Sequence, residues 1–511
     1  MFKQKFIPWF ILTCISIVAL WYVWDILLYT PIFLPDEVDI IDPAIQHITN
    51  KTAYPVEKYP AFPFIVYETL ICISQHFSSH VSYLKVARLG TFFFVILGMF
   101  LMYSAAIPYV GKKWAMIASL AFLTSPVVTY ASVIVKTESL ILCETVVVLI
   151  CLTKIWHNPN QSTWHYGCAI FCGLATATKY HIHLSFVYMM LLFAMTFLHS
   201  SHIKKLSLST SIKKLVIFSL IFMVTIGLSW PDVYQWIGLP KNRLPEDLYF
   251  NSNPSAFRAI DEPFSFPYGQ YSYAIFYIIP YAVGILTFVS GIVSILCRIL
   301  PLSFLIVWGI PTLIYLGISQ YVTLIRAHHI FTPCVPFFVI AATVLWKHVM
   351  TVKIKTKWIQ VPGLICIMGI LVYQFEPYSM HHQYMDVIRS IPDSESKQCL
   401  YLINSVTSHF SGIDASHIEE TVFQKKEPYL LVLDSYFYNF CKYKTSETYQ
   451  KQCNFFHRLI SGQTSYILEW KQRIQFRFQS LNTDPEASYT FYYFIDQSQT
   501  NNPTLRQVEK M

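Results

Sequence analysis

The sequence predicts an all-α polytopic membrane protein with a small α/β domain at its C-terminal end, outside the membrane. Three observations carry that prediction. The 511 residues are 54% hydrophobic and only 13% charged, which is not the balance of a soluble chain. Apolar stretches of bilayer-crossing length recur as far as residue 375 and then stop. Beyond that point the apolar runs shorten to strand length. The aromatic share of 17% suits belts of Trp and Tyr at two membrane–water interfaces.

The first span runs over 7–29, behind the basic start Met1-Phe2-Lys3-Gln4-Lys5. It resembles a signal peptide, but the run is long and lacks a small-residue cleavage site, so an uncleaved helix is expected. Further spans are expected at 87–109, 114–132, 137–155, 164–179, 182–199, 213–231, 272–296, 301–319, 329–349 and 358–375. That gives about eleven transmembrane helices. The stretch 61–77 is apolar but short, with Pro60 and Pro63 at its start, and reads as an interfacial or re-entrant helix.

Charge sets the orientation. With the N-terminus in the cytoplasm, the inside loops contain Lys112-Lys113, Lys154, Lys204-Lys205, Lys213-Lys214, Arg298, Lys347, Lys353, Lys355 and Lys357. Basic inside loops are what the positive-inside rule requires. The tail then lies outside, on the periplasmic face if the membrane is a bacterial inner membrane. The expected division is 1–375, a transmembrane domain with outer loops 30–86 and 232–271, followed by 376–511, the extracytoplasmic α/β domain. In that tail, Leu400–Ile403, Tyr429–Leu433 and Ser465–Leu468 read as strands, and 383–390 and 447–461 read as helical.

Several functions are excluded. The net charge of +8 is spread over membrane loops, with no basic patch for a nucleic acid. Twelve cysteines are present with no CxxC pair, so neither a metal nor a redox centre is expected. In the tail an oxidising compartment permits a Cys441–Cys453 bridge, with Cys399 left over. No Rossmann fingerprint or P-loop appears, consistent with no nucleotide. No internal repeat suggests a transporter built from repeated halves.

Ionisable groups gather instead on the outer face. Asp36, Glu37, Asp39 and Asp42 follow the first span; Glu57 and Lys58 precede the interfacial helix. Lys136 and Glu138 lie between two spans; Lys179, His181 and His183 lie in the next outer turn; Arg326, His328 and His329 lead into a late span. A single lysine at a helix end is most often an interfacial anchor, and a histidine there is most often a hydrogen-bonded interface residue. Together, acids and cations on one face suit an acceptor that loses a proton and a phosphate that must be held. The histidine and carboxylate spacings match no metal motif, though a divalent cation stays an open option.

Short motifs carry a resemblance. Asp36-Glu37 resembles the acidic pair in the first outer loop of polytopic GT-C glycosyltransferases. The nearest group contains protein O-mannosyltransferases and the lipid A aminoarabinose transferase. Glu57-Lys58-Tyr59-Pro60-Ala61-Phe62 is similar to that group's EKPPL stretch, with Tyr59 and Phe62 in place of Pro and Leu. Leu123-Thr124-Ser125-Pro126 followed by Lys136-Thr137-Glu138-Ser139-Leu140 resembles L-x-x-P…T-[DE]-x-L. Gly173-Leu174-Ala175-Thr176-Ala177-Thr178-Lys179 resembles GLA-x-x-TK. His329-Ile330 with Pro333 and Pro336 resembles R-Y-x-x-P-x-x-P, with His329 in the arginine's place and Arg326 about one helical turn earlier.

The resemblance implies transfer of a sugar from a polyprenyl-phosphate donor to a protein, lipid or glycan acceptor. It implies that Asp36, supported by Glu37, is the catalytic acid–base residue. It implies that Lys58, Lys179 and either His329 or Arg326 bind the lipid phosphate, with Glu57 and Glu138 lining the same site. A transporter or flippase, and a non-catalytic accessory subunit of the same class, are the alternatives. A transporter's charges would sit at mid-span on broken helices rather than at one face.

The topology is testable by itself. A single reporter cysteine at Leu208 should label only from the cytoplasmic side, and one at Ser480 only from outside. Labelling of both from one side would break the span count.

Overall fold

The structure, a computed structural model, describes residues 2–29, 35–51, 60–77, 82–179, 208–230, 279–313, 333–353, 357–374, 399–402, 430–434, 454, 457–463, 466–474 and 489–496. The expected span 182–199, the outer loop 232–271, and Glu57, Lys58, His181, His183, Arg326, His328, His329, Cys441 and Cys453 lie outside the described residues. The chain divides into two units: Met1–Tyr29 with Asp36–Phe375, and Thr30–Pro35 with Glu376–Met511.

The first unit is helical wherever it is regular. Its helices are α1 (Phe2–Tyr29), α2 (Pro35–Asn50), α3 (Ala61–Phe77), α4 (Tyr83–Val110), α5 (Lys112–Leu123), α6 (Pro126–Val133), α7 (Glu138–His157) and α8 (Ser162–Thr178). They continue as α9 (Leu208–Ser229), α10 (Ile279–Val283) and α11 (Ile285–Leu296). The last are α12 (Leu302–Leu313), α13 (Val335–His348) and α14 (Lys357–Gln374). Among the described residues, four helices are long and apolar enough to cross a membrane: α1 over Ile7–Trp24, α4, α7, and α9 over Ile212–Ser229. α1 and α9 expose Trp9, Phe10, Trp21, Leu220, Met223 and Leu228, as suits helices facing lipid. α7 is buried almost all round, packed between α4 and α8, which explains why its apolar residues follow no single stripe.

Two expected spans are interrupted. Within 114–132 the chain bends by 62° between α5 and α6. Pro126 opens α6; it has no N–H to continue α5 and fits the first turn of a new helix. Ser125 and Thr124 hydroxyls donate back to the carbonyls of Ala121 at 2.8 Å and Leu120 at 2.9 Å, satisfying acceptors at the broken end. Within 272–296, Gly284 separates α10 from α11 with φ of 95°, a conformation only glycine adopts readily. α12 carries a single wide turn over Leu305–Gly309.

The second unit contains β1 (Cys399–Leu402), β2 (Leu430–Asp434), β3 (Tyr466–Ile474) and β4 (Tyr489–Asp496). They form a sheet in the order β1-β2-β4-β3. β1 runs parallel to β2, and β4 is antiparallel to both β2 and β3. The inner strand β4, Tyr-Thr-Phe-Tyr-Tyr-Phe-Ile-Asp, was not among the expected strands. Its aromatic composition carried the signal. The expected helix 383–390 and most of 447–461 lie outside the described residues.

Close approach of α8 and α9 depends on Gly173. A Cβ there would stand 2.8 Å from Thr225 Cβ and 3.1 Å from the Phe222 carbonyl. Gly173→Val should therefore destabilise the protein by about 1–3 kcal/mol through overpacking. Thermal unfolding in detergent measures this, and an unchanged melting temperature would show that the two helices part without penalty.

Candidate active site

The site forms where the turn between α6 and α7 meets the end of α8. This turn is a short irregular stretch, Ile134–Thr137, between two helices. It is wholly buried: Val135 is 0%, Lys136 6% and Glu138 4% exposed. A buried irregular backbone needs partners, and it has them. The Tyr67 hydroxyl on α3 donates to the Lys136 carbonyl at 3.2 Å and lies 2.9 Å from Thr91 Oγ1 on α4. Ser139 Oγ donates to the same carbonyl at 3.3 Å. Hydrogen bonds thus pin the turn to two other helices.

Glu138 stands in the first turn of α7, where a carboxylate is favoured by the helix dipole. Its Oε1 receives a hydrogen bond from Lys179 Nζ at 2.5 Å, with side-chain exposures of 6% and 17%. Thr137 Oγ1 donates to the other carboxylate oxygen at 3.4 Å. Lys136 acts on Glu138 electrostatically as well, while its ammonium sits 5.4 Å from the centroid of the Tyr130 ring, within cation–π range. Lys179 caps α8 in extended conformation, φ −153° and ψ 123°, so its side chain is free of the helix and reaches back to α7.

The acid-bearing helix docks on the same turn. α2 buries Ile40 and Ile41 in a cluster with Phe64 and Tyr67 of α3, Ala87 of α4, and Val135 and Leu140, which bracket Lys136 and Glu138. Asp36 and Glu37 lie in the first turn of α2, one helical turn before Ile40 and Ile41. At its other end α2 is tied to α3 by His47 Nδ1 and Glu68 Oε2 at 2.9 Å. A second cluster, Ala61, Ala177, Ile226 and Trp230, joins the start of α3 to the end of α8.

Of the residues expected from sequence, the structure brings Glu138 and Lys179 into direct contact. It places Asp36 and Glu37 at the start of a helix packed on their turn. Glu57, Lys58, Arg326 and His329 lie outside the described residues. Sequence reasoning missed Tyr67, whose only signal was an aromatic in a short apolar helix. It also missed Glu144, a lone acid inside the apolar run Leu140–Val148, where it stood out. Among the described residues no group of His, Cys, Asp and Glu is arranged to hold a metal.

Comparison with known proteins fits this geometry. The profile of the family described as Dolichyl-phosphate-mannose-protein mannosyltransferase matches residues 77–230. That segment contains the Leu123–Pro126, Lys136–Leu140 and Gly173–Lys179 motifs. The apo Archaeoglobus fulgidus oligosaccharyltransferase superposes with a TM-score of 0.51 at 10% identity, covering 94% of this chain and 81% of that one. The chain is similar to GT-C glycosyltransferases in fold. ArnT from Cupriavidus metallidurans bound to undecaprenyl phosphate gives a TM-score of 0.49 at 11% identity, over 94% and 97% of the two chains. No curated protein matches the sequence.

The ion pair predicts a stability cycle. Removing one partner of a buried pair leaves a charge without its counterpart, at about 3–5 kcal/mol. Glu138→Leu should therefore destabilise the protein strongly, and Glu138→Leu with Lys179→Met should recover much of the loss. Additive losses in thermal unfolding would show that the two residues act independently.

Proposed function

We propose that the chain is an integral-membrane glycosyltransferase. It moves a sugar from a polyprenyl-phosphate donor to a protein, lipid or glycan acceptor on the extracytoplasmic face. The observation that carries this reading is the convergence of Lys179, Glu138 and Lys136 on one buried turn, with the Asp36-Glu37 helix packed against it. The family profile over 77–230 supports the donor class, since that family is named for a mannosyl dolichyl phosphate.

The chemistry follows from the groups present. Asp36 takes the proton of the acceptor hydroxyl as its oxygen forms the bond to the anomeric carbon. The bond from that carbon to the phosphate oxygen breaks with its electron pair, and the polyprenyl phosphate leaves along the membrane plane. A single displacement inverts the anomeric centre. Lys179, together with Lys58 and either His329 or Arg326, receives the charge that develops on the phosphate. Cations in a dry site stabilise such charge far more than they do in water. Glu138 holds the Lys179 ammonium in place, and Glu57 is assigned to donor binding with it. General-base help from a placed carboxylate contributes roughly 10²–10⁴ in rate. A lipid-carried donor also solves the supply of activated sugar on a face without nucleotide sugars.

Asp36→Asn should abolish transfer from radiolabelled donor in native membranes while leaving donor binding intact, because the base acts in the transition state. Glu37→Gln should be milder. Lys179→Ala should weaken donor binding by about 1.5–3 kcal/mol, the loss of one charge-assisted contact. Full transfer by Asp36→Asn would remove the base assignment; unchanged donor affinity in Lys179→Ala would reduce the lysine to an interface anchor.

A further inference from the structure

Glu144 has no part in the reaction just described, yet it is a carboxylate buried within an apolar helix. It sits on α7 in the apolar run Leu140-Ile141-Leu142-Cys143-Glu144-Thr145-Val146 and is 4% exposed. An ionisable group buried in a membrane-spanning helix is expensive and survives where it does something. Its Oε1 accepts a hydrogen bond from Thr178 Oγ1 at 2.7 Å. Its Oε2 has no hydrogen-bond partner among the described residues. Nothing in that arrangement maximises stability: a leucine would fill the space without burying a polar atom.

What the contact does gain is position. Thr178 is the last residue of α8, and Lys179 is the next. The Thr178 hydroxyl also lies 2.9 Å from the Leu174 carbonyl, and the Lys179 N–H bonds to the Ala175 carbonyl at 3.3 Å. Consecutive residues at the end of α8 are thus tied to separate acids on α7, Thr178 to Glu144 and Lys179 to Glu138. The Glu138 contact alone leaves a long, rotatable lysine side chain to be ordered from one end. The Glu144 contact fixes the other end, where that side chain begins.

We infer that Glu144 is a positioning residue for the phosphate site: by holding Thr178 it fixes where the backbone of Lys179 leaves α8, and so where the ammonium meets the lipid phosphate. This rests on the reading of Lys179 as a phosphate ligand. The pair acts through a hydroxyl and an acceptor oxygen, so conservative replacements separate it from packing. Thr178→Ser keeps the hydroxyl and Thr178→Val keeps the shape. Glu144→Gln keeps an acceptor oxygen and Glu144→Leu removes it.

The test is binding of a polyprenyl phosphate to the full chain in detergent, with the donor KM and kcat measured beside it. Thr178→Val and Glu144→Leu should each weaken binding about tenfold. Thr178→Ser and Glu144→Gln should stay within about twofold of the parent. The Glu144→Leu/Thr178→Val double variant should bind no worse than either single, because both remove one shared contact. KM for the donor should rise while kcat changes little. If Thr178→Val and Glu144→Leu bind like the parent while Lys179→Ala loses binding, the inference is wrong and the phosphate site stands. If Lys179→Ala also binds like the parent, the reading of Lys179 fails and this inference falls with it. Should Glu144→Leu not fold, the nearly isosteric Thr178→Val against Thr178→Ser decides alone.

Discussion

Everything around the candidate site depends on one contact, the Lys179–Glu138 ion pair between α8 and α7. It is mostly out of water, with side-chain exposures of 17% and 6%. A pair in such a place gives little net stability, because desolvation offsets most of the attraction. What it does is aim the Lys179 ammonium from the end of α8 at the start of α7. A lysine alone there would have to reach the interface or lose its charge. With Glu138 opposite, it stays. In the proposed reaction an incoming phosphate would meet an ammonium already largely shielded from water and already in place, the preorganised arrangement that makes electrostatic stabilisation effective.

The remaining elements serve that contact. The turn carrying Lys136 and Glu138 could not be buried if its carbonyls were left open, and the Tyr67 hydroxyl with Ser139 closes one of them. The bend at Pro126 sets α6 at 62° to α5, so the chain enters this turn from the side rather than along the bundle. Gly173 lets α9 approach α8 closely, and Trp230 and Ile226 then pack against Ala61 and Ala177. Two apolar clusters thus bracket one polar junction, one holding the end of α8 and the other the start of α7.

Sequence alone exposed the helical membrane architecture and the motif residues, because both leave local marks. Long apolar runs, basic loops and a lysine at the end of a span need no tertiary information. The Lys179–Glu138 contact was half-legible: both residues were marked as charges that could not be idle, but their sequence separation hid that they touch. The bend at Thr124-Ser125-Pro126 was written in its proline, yet hydropathy averaging across 114–132 smoothed it over. Tyr67 was illegible, since an aromatic in an apolar helix is usually packing and only the fold reveals the carbonyl it serves. The burial of Lys136 was illegible for the same reason: a polar turn between spans reads as solvated until α3 and α4 are seen to cover it. Similarity to known proteins followed the same gradient. The family profile is confined to 77–230, the segment whose motifs converge on the turn and the end of α8.

The acid pair is carried by a helix whose apolar residues, one turn further on, dock it. α2 has few means of attachment: its apolar face is short, and its first turn is rich in acids. Ile40 and Ile41, buried against Val135 and Leu140, lie one turn beyond Asp36 and Glu37. Burying such side chains contributes roughly 1.5–3 kcal/mol each, enough to dock a helix but not to lock it rigidly. The His47–Glu68 contact at the far end adds a second point, and a rod held at two points keeps its direction. The two charged elements are thus held by different means, Lys179 by its ion pair with Glu138 and the acid-bearing helix by apolar packing. Under the proposed reaction, a lipid phosphate gains from a dry, preorganised partner, and an acceptor needs a group it can reach.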